Sequence, residues 1–162
     1  MRRLRSTLVA IWPLLGLAMV VVAQPAPTVG IRADPTLGNI LTDASGTTLY
    51  QFTRDGPGVS NCYDQCARTW PPLLLGDGEP VAPPELGGTL GGLVRRDGSQ
   101  QVTYNDMPLY TYARDTNPGE TNGQGVGGVW FVVEAVLAEP TGERDVPAPT
   151  ERPQETPRAP SY

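Results

Sequence analysis

Residues Leu49–Asp55 read LYQFTRD, and residues Leu109–Asp115 read LYTYARD. Leu, Tyr, Arg and Asp recur at a constant offset of 60, and Phe52 is answered by Tyr112. The correspondence runs past the heptads, because Trp70 follows Tyr50 by the same interval as Trp130 follows Tyr110. Pro57-Gly58 has an echo in Pro118-Gly119, displaced by one. Two copies of one unit predict two halves related by an approximate twofold axis, each covering the other's apolar face.

Gly and Pro punctuate the text around the heptads, and no long stretch carries the apolar period of an amphipathic helix. Strand signals dominate instead, at residues 39–42, 47–53, 100–104, 108–113 and 129–137. DASG at Asp43–Gly46 and YNDMP at Tyr104–Pro108 have the composition of hairpin turns that feed the two heptads. One short helix is expected over Cys62–Arg68, capped by Ser60 or Asn61 and stopped by Pro71-Pro72. The expected fold is all-β, with two pseudo-twofold-related, hairpin-based repeats forming a small sandwich or open barrel and one short helical turn. A single domain is expected over residues 30–137, with repeat one at 37–75, a Gly/Pro-rich connector at 76–91 and repeat two at 92–137.

The ends read differently. A basic start, Arg2-Arg3-Leu4-Arg5, precedes an apolar run from Leu8 to Ala23, the pattern of a secretory signal cleaved after Ala23, with cleavage after Ala26 as the rival and an uncleaved anchor as the alternative. The run is broken by Pro13 and is short for a membrane span, so no stable span is expected once residues 1–23 are removed. Residues 24–29 form a lead-in. Residues 138–162 hold six prolines and few apolar side chains, the composition of a disordered tail.

The chain has 12 basic residues against 17 acids and a net charge of −5. Loss of Arg2, Arg3 and Arg5 with the signal takes it near −8, which excludes nucleic acid and anionic surfaces as partners. There is no His and no Lys. Serine triads with a His base, His-ligated zinc and haem attached through Cys-x-x-Cys-His therefore fall away, and no cofactor is expected. In an exported chain, Cys62 and Cys66 are expected to form a structural disulfide across a distorted turn rather than a redox pair.

Tyr50-x-Phe52-x-x-Asp55 and Tyr110-x-Tyr112-x-x-Asp115, with the flanking CYDQCARTWPPLL and PGETNGQGVGGVWFVV, resemble a bacterial family of predicted lipoproteins and secreted repeats. The resemblance spans about Leu37 to Val136 and implies an extracytoplasmic, envelope-associated protein of a family without an established activity. No cysteine stands directly after the apolar run, so no lipid attachment like that of lipoprotein members is expected.

Strand alternation puts Tyr50, Phe52 and Arg54 on one face and Leu49 on the other, and does the same for Tyr110, Tyr112, Arg114 and Leu109. The rings, with Trp70 and Trp130, either form the core or present a ligand surface rimmed by Arg54 and Arg114; the core reading is preferred. Buried Tyr hydroxyls would need acceptors, and Asp55 or Asp115 can supply them. The favoured function is a non-catalytic envelope module that binds a partner or small ligand. A hydrolase using Asp55 and Asp115 as acid and base is an alternative, weakened because internal symmetry gives the pair equal environments. A metal or redox accessory is the other, with Asp115, Asn117 and Glu120 as oxygen donors for Ca²⁺, though the spacing is not that of an EF-hand. GQGVGG at Gly123–Gly128 lacks the Lys of a phosphate loop.

Overall fold

The computed structural model describes residues 26–76 and 78–139; the expected signal at 1–23 and residues 140–162 of the expected tail lie outside the described residues. Seven short strands and one helix follow in the order β1 (Val29–Asp34), β2 (Gly38–Asp43), β3 (Tyr50–Phe52), α1 (Gln65–Thr69), β4 (Leu90–Val94), β5 (Gln100–Tyr104), β6 (Met107–Pro108) and β7 (Trp130–Val132). A 3-10 turn, Val126–Gly128, precedes β7. All pairing is antiparallel, in three small sheets ordered β1-β2, β3-β7 and β4-β5-β6. Isolated bridges such as Ile40↔Glu134, Tyr50↔Tyr110 and Leu74↔Gln101 link segments outside these pairings. Among the described residues the sheets do not close into a barrel.

The repetition in sequence is repeated in hydrogen bonding. The β1-β2 hairpin pairs Val29 with Asp43, and β4-β5 pairs Leu90 with Tyr104, the same register 61 positions on. The following turns differ by one residue, so the offset becomes 60 at the heptads. Asn105 and Asp106 both take positive φ, 49° and 66°, the two-residue hairpin geometry that Asn and Asp tolerate. In repeat one, Asp43 caps the longer turn by accepting the Ser45 and Thr47 N–H groups. At the centre, the Tyr50 N–H donates to the Tyr110 carbonyl at 2.8 Å and the Tyr110 N–H returns the bond at 3.0 Å. Around this reciprocal pair the partners exchange: Val133 N–H donates to Leu49 O as Leu73 N–H does to Leu109 O. Thr53 N–H donates to Val129 O as Ala113 N–H does to Thr69 O. Each heptad segment of one repeat is thus completed by the tail of the other.

The heptad strands are buried on both faces. Leu49 and Leu109 join Val29, Leu41, Val102 and Val133 in one apolar cluster. Tyr50 and Tyr110 face the opposite way, into a second cluster with Trp70, Trp130 and Tyr112. The exchange of strand partners thus covers both faces of the heptad strands.

Other expectations need correction. The helix begins at Gln65 rather than Cys62: Asp64 takes φ 52°, and the Ser60 hydroxyl and the Asn61 amide bond to Tyr110 and to the Arg54 carbonyl instead of capping it. Of the two long segments expected at 108–113 and 129–137, regular strand covers only Pro108, the end of β6, and Trp130–Val132, with single bridges at Tyr110, Glu134 and Leu137 continuing them. β1 and β4 were not anticipated; VGIRAD and LGGLV lack a clean alternation and gain order from their hairpin partners.

Candidate functional site

The two Tyr side chains of the heptads cross the dyad. The Tyr50 hydroxyl donates to Asp115 Oδ2 at 2.5 Å, and the Tyr110 hydroxyl donates to Asp55 Oδ2 at 2.6 Å. The remaining oxygen of each carboxylate closes its own loop: Asp55 Oδ1 accepts the Asn61 N–H, and Asp115 Oδ1 accepts the Asn122 N–H. Tyr50 and Tyr110 are fully buried. Burial, then the bond to the opposing carboxylate, holds both phenols far above their ordinary range. Burial also pushes Asp55 and Asp115 up, against the lowering effect of the Tyr donors.

Four rings form one continuous stack beneath these bonds. Phe52 lies on Trp130 at 4.3 Å, Trp130 on Trp70 at 4.0 Å, and Trp70 on Tyr112 at 4.2 Å between centroids. Tyr50 and Tyr110 meet Trp70 and Trp130 edge to face at 5.3 and 5.1 Å. Tyr112, Trp70 and Trp130 are buried and Phe52 is half-buried, so the rings meet each other rather than solvent. Arg54 and Arg114 are exposed.

The two Asp carboxyls shift in the same direction for the same cause, whereas an acid and a base must be pushed apart. In the Asn117 loop, Glu120 accepts the Thr116 and Asn117 N–H groups and the Asn117 amide, so its oxygens already have donors within the loop. Those hydrogen bonds hold its carboxyl below the ordinary range. Among the described residues no group of three or more His, Cys, Asp or Glu converges as metal ligands. Cys62 and Cys66 form a disulfide with 5.2 Å between Cα atoms, Cys62 outside α1 and Cys66 within it.

Where the halves differ, the structure holds a polar cluster that sequence reading missed. The Tyr50 hydroxyl receives the Gly123 N–H, but the Tyr110 hydroxyl meets Ser60 Oγ at 2.8 Å. Arg95, only 4% exposed, donates from Nη1 to Ser60 Oγ and to Gln101 Oε1, and from Nη2 to the Cys62 carbonyl at 2.7 Å. Gln101 in turn donates to the Leu109 carbonyl at 2.7 Å. By the repeat offset Gln101 stands where repeat one has the apolar Ile40, a difference visible in the sequence once the register is known. The cluster backs a surface hollow of about 400 Å³ between residues 58–63 and 93–96. Tyr63 sits at its wall with the Arg95 and Arg96 guanidinium carbons 4.4 and 3.7 Å from its ring centre.

A protein family described as a secreted repeat of unknown function matches the chain twice, over residues 32–74 and 93–134. Each match takes in one heptad and the Trp that follows it, and begins within β1 or β4. No curated protein matches the chain, and no solved structure does.

Proposed function

Because the chain belongs to the family of secreted repeats of unknown function, we propose that it is a non-catalytic module of the cell envelope that binds a partner or small ligand. The family's description and the Cys62–Cys66 disulfide agree on an extracytoplasmic location. Among the described residues no helix is long and apolar enough to cross a membrane. The observation that carries the binding reading is the division of labour between centre and surface. The phenols and carboxylates of both heptads are engaged with one another. The unsymmetrical hollow beside the disulfide turn, in contrast, presents polar and charged groups to solvent. In this reading the ring stack is a rigid support, and ligand contact falls on the surface, with Arg54 and Arg114 as further exposed cations.

A panel of small anionic, neutral and cationic fragments followed by amide NMR tests the proposal. Saturable shifts clustered at residues 58–63 and 93–96, without turnover of glycan or ester substrates, are the expected outcome. Turnover that Asp55→Asn or Asp115→Asn abolishes at unchanged stability would establish the hydrolase instead. Loss of function on Cys62→Ser, or a melting temperature raised by Ca²⁺, would favour the accessory reading.

A further inference from the structure

Resting on the binding-module reading, we infer that the hollow between the 58–63 loop and β4 is a site for a small ligand headed by an oxyanion and carrying a short apolar body. Arg95 is the first ground. Its two terminal nitrogens are held by Ser60, Gln101 and the Cys62 carbonyl, all of them neutral acceptors. Its Nε–H finds no acceptor among the described residues. The nearest carboxylate, Asp97 Oδ2, stands 4.0 Å from Nε and is exposed, while its other oxygen takes the Ser99 N–H and hydroxyl. The carboxylates of Asp97 and Asp55 feel its charge, yet neither hydrogen-bonds to it, so this buried guanidinium keeps one N–H without an acceptor and capacity for a further anion.

Arg96 is the second ground. Its guanidinium lies over the same Tyr63 ring as that of Arg95, and its backbone N–H donates to the Tyr63 hydroxyl at 3.3 Å. One ring therefore holds both guanidiniums at the wall of the hollow, and the planar fork of Arg matches a carboxylate or phosphate through paired N–H donors. The third ground is shape. A volume of about 400 Å³ lies within the range of small-molecule sites. Val59 and Val94, 53% and 72% exposed, line the same hollow and offer an apolar contact next to the charges. The chain as a whole is acidic, so its long-range field does not gather anions; recognition is by contact.

The test titrates the chain with benzoate, benzamide, benzamidinium and inorganic phosphate, read by calorimetry and by the Arg Nε–H signals in NMR. Benzoate is expected to bind saturably and to move one Arg Nε–H signal downfield, assigned to Arg95 by its loss in Arg95→Lys. Benzamide, equal in shape but neutral, should bind at least about tenfold more weakly, the weight of a charge-assisted hydrogen bond. Arg96→Gln, a change at an exposed position that leaves the buried cluster in place, should weaken benzoate by a similar factor, and Asp97→Asn should strengthen it. Tighter binding of phosphate than of benzoate assigns a phosphate head, and the reverse assigns a carboxylate. If benzamide or benzamidinium matches benzoate at this hollow, or Arg96→Gln has no effect, the oxyanion inference is overturned and the binding-module reading stands. If none of the four probes nor the wider fragment panel binds saturably, both are overturned.

Discussion

The indoles of Trp70 and Trp130 lie face to face, 4.0 Å between centroids and 5° from parallel, although 60 residues of chain separate them. Each belongs to a different repeat, so their contact is where the two halves meet. Truncating either to Ala should cost about 3–5 kcal/mol, a large share of the stability of a small domain. Two stacked indoles also couple electronically. Far-UV circular dichroism should show an exciton couplet that Trp70→Phe and Trp130→Phe each abolish while the fold persists.

Gly123 is a close-approach position of the second repeat, set against rings of the core. A Cβ there would lie 2.7 Å from Tyr50 Cε1 and 2.8 Å from Trp70 Cη2, both on core rings. Gly123→Ala should lower stability by about 1–3 kcal/mol through overpacking, whereas Gly56→Ala, with only the Val59 Cβ at 4.0 Å, should be near neutral. Paired urea titrations of the two variants check this.

The buried carboxyls give the fold a pH signature. Burial holds Asp55 and Asp115 above the ordinary Asp range, so the folded chain binds these two protons more tightly than the unfolded chain. Their contribution is complete below the ordinary Asp range and is lost as pH rises through the raised values. Asp97 and Glu120, held low by hydrogen bonds, act with the opposite sign at lower pH, and exposure makes their effect weak. The urea midpoint should therefore decline as pH rises from about 4 toward neutrality. Asp55→Asn and Asp115→Asn should each lower the midpoint and flatten that decline.

The disulfide closes only a small ring, so reduction should cost about 2 kcal/mol or less by the chain-entropy estimate. The Cys62 carbonyl accepts a bond from Arg95, so reduction should perturb the Arg95 side-chain signals more than those of the ring stack. Melting curves and side-chain NMR with and without dithiothreitol measure both effects.

Much of the architecture was legible because a repeat constrains fold without any knowledge of packing. The constant offset of Tyr50, Asp55 and Trp70 against Tyr110, Asp115 and Trp130 implied the dyad. Asn105-Asp106 announced its hairpin through residues that tolerate positive φ. Alternation could not decide which face of LYQFTRD meets solvent, since Leu49 and Tyr50 both end fully buried. That outcome depends on strand partners supplied by the other half, which no local pattern records. Arg95 and Gln101 were missed for a related reason. RRDGSQ has the composition of an exposed turn, and an inward Arg is tenable because Ser60 and the Cys62 carbonyl, more than thirty residues earlier, accept from it together with Gln101.

The central claim is that each heptad is completed by the other repeat, and double-mutant cycles test it most directly. Stability should be measured for Tyr50→Phe and Tyr110→Phe, each combined with Asp55→Asn or Asp115→Asn. The crossed pairs, Tyr50 with Asp115 and Tyr110 with Asp55, should couple by about 1 kcal/mol or more, and the same-repeat pairs should add within about 0.5 kcal/mol. Coupling confined to Tyr50 with Asp55 and Tyr110 with Asp115 would contradict the account.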